Sequence, residues 1–335
     1  MEVLPMPVRW AIVGCGDIAN KAVAPAITGH PDAELVSLFS HTPERAEELR
    51  SAHGAERATT DLTEAVGADD VDAVYVASPV FRHAEETLAA VRAGKHVIVE
   101  KPMALSVADG ERMIAAADEA GVHLSVAYYR RFFPKSRRIH DLIADGAIGT
   151  PVVCEITIGS SARITPDNPK YWRTLPEQGG GGALMDVGSH RLDLACYWLG
   201  EPRQVCGFAD TVVRDDMEVP DIECLLARMK SGAHLHCTAT WAIATRADDV
   251  AIRGSEGTLS VRGYDRDPLV LARGDAIEEF DLPPEANWHV PLIADFTRAL
   301  VEGREPEFTA RDGIQATRIM EGCYRSSETG RTVEV

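Results

Sequence analysis

The sequence predicts two domains of different class: an α/β domain with a doubly wound parallel sheet, then an α+β domain with a large, mainly antiparallel open sheet. Three observations carry this expectation. Apolar strand-like runs alternate with helical stretches over about the first 130 residues, as in repeated βαβ units. A glycine-rich turn joins the first such run to the first helical stretch. From residue 152 onward, short alternating runs follow one another with few helices between them, as in an antiparallel sheet. A length of 335 residues accommodates two domains. The division is expected at 1–128 and 129–335, a boundary the last helix can cross by packing back on the first domain.

Residues 8–13, Val-Arg-Trp-Ala-Ile-Val, read as the first buried strand. Gly14-Cys15-Gly16-Asp17-Ile18-Ala19 follows at once, with the G-x-G-x-x-A spacing of a dinucleotide-binding turn. In that turn the first glycine makes the bend and the second lets backbone approach a pyrophosphate. The small third residue lets the helix pack on the strand. The pyrophosphate would rest on the amides that open the helical stretch 20–28. A second strand, 34–39, ends in Ser40-His41-Thr42-Pro43-Glu44-Arg45. An NAD enzyme places an acidic residue near this strand end for the ribose 2′-hydroxyl. None stands at the end itself. Ser40, His41, Thr42 and, on the helix 44–53, Arg45 suit a 2′-phosphate better, although Arg45 also reads as a solvated helix residue. NADP(H) is therefore the preferred cofactor and NAD(H) the alternative.

The alternation continues through a strand at 71–77, ending in Ser78-Pro79, and a helix at 85–93 closed by Gly94. An apolar run at 97–99 then meets Glu100-Lys101-Pro102. Ligands of open parallel sheets bind where strands reach their carboxyl edge, so Lys101 stands beside whatever this sheet binds. Taken alone, the Glu-Lys pair reads equally well as surface charge at a strand end. A helix at 107–120, capped by Ser106 and ended by Gly121, and a strand at 124–128 complete the series.

In the second half, strand-like runs occur at 152–158, 204–213, 222–229, 234–241, 250–253 and 258–261, and helices at 290–302 and 311–326. Gly179-Gly180-Gly181-Gly182 precedes Ala183-Leu184-Met185-Asp186-Val187-Gly188-Ser189-His190. If the chain is helical from about Leu184, Asp186 and His190 share a face. A carboxylate there can orient the imidazole and tune its proton affinity for acid/base work. The glycines allow close approach of backbone to a ligand. The competing interpretation is a surface Asp/His pair behind a flexible loop. His234 and His236 share a strand face but lack a third ligand nearby, so no metal is expected. Arg130, Arg131, Lys135, Arg137 and Arg138 suggest a solvated helix face with one or two phosphate or substrate contacts.

Lys plus Arg number 34 against 52 for Asp plus Glu, a net charge of −18, which argues against nucleic acid or an anionic membrane as partner. No apolar stretch approaches a bilayer span, and no secretion signal is expected at residues 1–9. The seven cysteines are scattered without a CxxC pair, pointing to reduced thiols in a cytoplasm.

With these motifs assembled, the chain resembles the Gfo/Idh/MocA oxidoreductases, the family of glucose–fructose oxidoreductase and inositol dehydrogenase. The resemblance runs through Gly14-x-Gly16-x-x-Ala19, Ser78-Pro79 with His83, Glu100-Lys101-Pro102, Arg130-Arg131-Phe132, Tyr171-Trp172-Arg173 and Asp186-x-x-x-His190-x-x-Asp193. It implies a Rossmann domain joined to a domain whose open sheet forms a homodimer or homotetramer interface. It also implies a catalytic group of Lys101, Asp186 and His190. Cofactor contacts would come from Gly14, Gly16, Asp17, Ile18, Ala19, Ser40, His41, Thr42, Arg45, Ser78, Pro79, His83, Glu100, Lys101, Arg131 and Trp172. Substrate contacts would come from Lys101, Tyr129, Tyr171, Asp186 and His190. Tyr129 departs from the asparagine that many members carry. The implied activity is NADP-dependent hydride transfer to or from a sugar, polyol or related hydroxylated or keto compound, with His190 as acid/base. Two other activities fit the same motifs: a non-catalytic dinucleotide sensor that binds another protein, and a redox-neutral glycosidase that holds NAD.

Overall fold

The computed structural model describes residues 7–161 and 164–335. It divides into two compact units, one formed by the chain to Tyr129 with Glu285–Ile314, the other by Arg130–Pro284 with Gln315–Val335.

The first unit holds six parallel strands: β1 (Val8–Val13), β2 (Ala33–Phe39), β3 (Arg57–Thr59), β4 (Ala73–Val76), β5 (His96–Val99) and β6 (Leu124–Val126). Their order in the sheet is β3-β2-β1-β4-β5-β6, so the connection reverses direction between β1 and β4, the place where such sheets bind ligands. Val74, Tyr75, Val76, Val97, Ile98 and Val99 are fully buried, which is why β4 and β5 are continuously apolar rather than alternating. Between the strands run α1 (Ala24–Thr28), α2 (Pro43–His53), α3 (Leu62–Gly67), α4 (Val80–Arg92) and α5 (Val107–Ala120). Their ends follow local chemistry. Ser106 Oγ accepts from the Asp109 amide at 3.1 Å to start α5, and Gly121, in the left-handed region at φ +69°, stops it.

The second unit opens with α6 (Pro134–Ala144), β7 (Pro151–Ser161), the single turn α7 (Pro176–Gly179) and α8 (Ser189–Leu199). It continues with β8 (Pro202–Asp210), β9 (Ile222–Met229), β10 (His234–Thr240), β11 (Ala242–Gly254), β12 (Thr258–Val261), β13 (Leu269–Arg273) and β14 (Ala276–Phe280). α9 (Val290–Glu302) returns to the first unit, where Phe296 packs against Trp10 at 5.7 Å between ring centroids. α10 (Ala310–Thr329) leads to the short β15 (Val333–Glu334). The nine strands lie in the order β14-β13-β12-β11-β7-β10-β9-β8-β15. The β7–β10 pair is parallel and the others are antiparallel. Along β9, Glu223, Leu225 and Ala227 are buried while Leu226 faces outward, so one face of the sheet is covered and the other open.

One sequence expectation is corrected here. Arg130, Arg131 and Lys135 do not line a solvated helix face, being 8%, 3% and 3% exposed. Arg130 forks onto Asp265 (3.1 and 2.9 Å) and Arg131 onto Asp193 (2.9 and 2.7 Å). Lys135 Nζ donates to the carbonyls of Tyr264 and Asp267, both at 2.6 Å. Partners far along the chain offset the cost of burying these charges, and no local periodicity announces them. Arg137 and Arg138 are half-buried, stacked over Phe132 and Phe280.

Candidate active site

In the first unit the singled-out residues gather at the carboxyl edge of β1, β2, β4 and β5. Gly14 has φ +100°, and a Cβ there would lie 2.6 Å from the Ser78 amide nitrogen, so only glycine fits. A Cβ on Gly16 would meet nothing within 4 Å, leaving open space where a pyrophosphate can approach the backbone. Ala19–Val23 winds as a wide π turn before α1, and the first backbone hydrogen bond here is from the Asn20 amide to the Gly16 carbonyl at 3.1 Å. The turn thus meets the steric demands of a dinucleotide.

At the end of β2, Ser40 Oγ accepts from the Thr42 amide at 3.1 Å, shaping the entry to α2, while Arg45 is exposed. Arg82 Nη1 lies 2.8 Å from His41 Nε2. Because a guanidinium only donates, the imidazole accepts here and carries its proton on Nδ1. Burial and then the Arg82 charge lower the His41 pKa, favouring that neutral ring. In the sequence Arg82 carries no signal beyond its place in the first turn of α4. Behind it, Glu86 is buried, accepts a hydrogen bond from the Ser78 hydroxyl and is raised in pKa by burial.

His83 bridges the ends of β4 and β5, with Nε2 2.9 Å from the Ser78 carbonyl and Nδ1 2.9 Å from that of Pro102. Glu100 is the hub of this edge. Its Oε1 accepts from Tyr75 Oη (2.8 Å) and His289 Nε2 (3.2 Å), and its Oε2 from the Lys101 amide (3.0 Å). Burial pushes this carboxyl up, but the His289 hydrogen bond and charge, with Lys101 and Tyr75, bring it below its ordinary value. Glu100 therefore stays ionised and fixes the backbone of Lys101, whose peptide bond to Pro102 is cis. Tyr129 packs on His289, ring centroids 4.5 Å apart. His289 was not anticipated, because its only local signal is a place just before an apolar helix.

In the second unit, Tyr171 and Trp172 lie on a short 3₁₀ turn, and the Arg173 guanidinium sits 5.3 Å above the Trp172 ring. The segment carrying Asp186 is not a plain α-helix. Leu184–Gly188 forms a π turn, and α8 starts only at Ser189. At Gly188 a Cβ would come within 2.9 Å of Leu184 Cδ1, so a larger residue would make that side chain shift. Asp186 Oδ2 accepts from Arg173 Nη1 at 2.9 Å, a partner that no spacing in the sequence reveals. His190 is buried in the first turn of α8. Its neighbours anchor that helix on two sides. Arg191 bonds Asp248 (2.9 and 2.7 Å), and Asp193 takes the guanidinium of Arg131. The glycine run is packed against protein: a Cβ on Gly179 would strike the Arg173 carbonyl at 2.6 Å, one on Gly181 the Tyr324 hydroxyl, and one on Gly182 the Pro220 carbonyl.

A dinucleotide turn at the switch point of a parallel sheet, with a built lysine at the edge and an open-sheet second unit, defines a two-domain nicotinamide-dependent oxidoreductase. The chain belongs to the Gfo/Idh/MocA oxidoreductase family. Residues 8–128 match the model of its NAD-binding Rossmann fold, and 136–260 that of its C-terminal domain. The chain is 31% identical to a 1,5-anhydro-D-fructose reductase of Ensifer adhaerens, over 98% of each chain. Levoglucosan dehydrogenase in complex with NADH is 25% identical with a TM-score of 0.88, over 98% of this chain and 99% of that one. A 3-ketoreductase of Actinomadura kijaniata in complex with NADP is 27% identical with a TM-score of 0.84, over 96% and 98%.

Proposed function

We propose that this enzyme transfers a hydride between NADP(H) and a hydroxyl- or carbonyl-bearing carbon of a sugar- or polyol-like molecule. The carrying observation is the strand end at Glu100-Lys101, where a buried carboxylate collects three donors and so fixes Lys101 at the ligand edge of the sheet. The nicotinamide supplies or accepts the hydride. Lys101 donates to the reacting oxygen and stabilises the negative charge that develops there. His190 gives or takes the hydroxyl proton. Asp186, held by Arg173, orients it and accepts from a substrate hydroxyl. Tyr129, Tyr171 and Trp172 provide contact surface. The first domain, 1–128, binds the dinucleotide, and 129–335 selects the substrate. Arg131, taken up by Asp193, acts by holding α8 rather than by touching the dinucleotide.

The preference for NADP is supported by the end of β2, which offers hydroxyls at Ser40 and Thr42 and no acid. The Arg82–His41 pair and Arg45 supply donors for a 2′-phosphate. The open sheet face, where Phe208 is 71% and Leu226 54% exposed, supports a homodimer or homotetramer; a monomer by sedimentation velocity would contradict it. Among the described residues no helix is long and apolar enough to cross a membrane. The reduced cysteines support a cytoplasmic setting. The test is a panel of sugars, polyols and keto-sugars, 1,5-anhydro-D-fructose included, assayed with NADP(H) and NAD(H) in parallel. Turnover with NADP(H) is expected, and Arg82→Ala should raise KM for NADPH about tenfold while sparing NADH. Equal use of both cofactors would defeat the NADP assignment, and no turnover of any compound the activity itself.

A further inference from the structure

We propose that Glu223 is a positioning residue for the acid/base pair, acting through the backbone amides of Gly182 and Leu184. The proposal rests on the roles assigned above to Asp186 and His190. Two carboxylates at the start of β9, Asp221 and Glu223, stand two residues apart and are completely buried. Asp221 is committed to the loop before it, accepting from the amides of Val212, Val213 and Arg214 at 3.0, 2.7 and 2.7 Å.

Glu223 is committed to the glycine run. Its Oε1 accepts from the Gly182 amide and from Tyr324 Oη, both at 3.1 Å, and its Oε2 from the Leu184 amide at 3.3 Å. The other side of Gly182 carries the constraint forward, because its carbonyl accepts from the Asp186 amide at 3.3 Å. One residue, Gly182, thus joins the Glu223 carboxyl to the backbone of Asp186, four residues ahead of His190. The glycines are required by this contact: a Cβ on Gly182 would lie 2.7 Å from Glu223 Oε1, and one on Gly181 would strike the Tyr324 hydroxyl. A run that resembles a flexible ligand loop is a backbone pressed onto a buried acid.

The acid also titrates in a useful range. Burial pushes the Glu223 carboxyl up to about 8, against the pull of Tyr324 and the two amides. Among the described residues, Asp221 just before its strand, Tyr324 and Cys323 on α10, and Cys237 on β10 are titratable groups around it. Losing its proton makes the carboxyl a stronger acceptor for its three donors, so turnover should rise with pH through a step set by Glu223.

The experiment compares wild type, Glu223→Gln, Tyr324→Phe and His190→Ala as full chains, with NADPH and the panel compound turned over fastest. It adds hydrogen–deuterium exchange of the 181–190 segment. Folded Glu223→Gln is expected to keep KM for NADPH, lose about tenfold or more in kcat above pH 8, exchange faster across 182–190, and lose the rise in turnover near pH 8. Tyr324→Phe, which removes one of the three donors, should show the same changes in smaller degree. An inactive His190→Ala beside a Glu223→Gln with unaltered kcat, pH profile and exchange overturns the Glu223 inference alone. Wild-type turnover in His190→Ala overturns the acid/base reading and this inference with it.

Discussion

Single side chains at this strand edge act mainly by fixing the state of a neighbour. Glu100 is kept ionised by Tyr75 and His289 and in turn fixes Lys101, while Arg82 fixes the tautomer of His41. The Glu-Lys-Pro motif and the glycine fingerprint were legible because each residue type has a local steric or charge requirement. His289, Arg82 and Arg173 were not, because their significance comes from partners brought near by folding. The same dependence appears away from the site. His96 Nδ1 accepts from the His123 amide at 3.0 Å, and burial, then the nearby His123, lowers its pKa to about 4. The folded protein keeps this ring neutral, whereas in the unfolded chain it takes a proton near its ordinary value of 6.5. Its contribution to stability is therefore intact above that value and is lost as pH falls toward 4. Urea unfolding between pH 7 and 4 should show a loss that His96→Gln reduces, and parallel profiles for the two proteins would refute this.

At the scale of elements, α8 is held by opposite charges placed on either side of His190. Arg131–Asp193 is almost wholly buried, so removing one charge leaves the other buried without this counter-charge. Asp193→Asn should destabilise the protein by about 3–5 kcal/mol, and the double replacement Arg131→Met with Asp193→Leu should recover much of that. Equal losses in the single and double variants would contradict it. Element ends were legible where caps exist: the helix at 107–120 matches α5 because Ser106 and Gly121 state its limits. The π turn at Leu184–Gly188 left no such mark, since a helical pattern cannot distinguish four residues per face from a widened turn.

For the whole molecule, the two sheets were legible in outline and their edges were not. Apolar runs located β1, β4, β5 and most of the long strands, because burial on both faces or on one writes directly into composition. β3 is three half-buried residues, and β14 carries Glu278 and Glu279 with almost every side chain exposed, so neither has an apolar pattern to read. Nor could periodicity show that β7 and β10 run parallel within an otherwise antiparallel sheet. The same distinction governs function. A motif set places the chain in its family, whereas the substrate and the choice between NADP and NAD depend on contacts made by folding. The most direct measurement is NADPH-dependent turnover by Lys101→Met, assayed with NADPH affinity by fluorescence on the same preparation. A fall in kcat of about a hundredfold or more, larger than any change in cofactor affinity, is expected, and wild-type turnover by that variant would contradict the assignment.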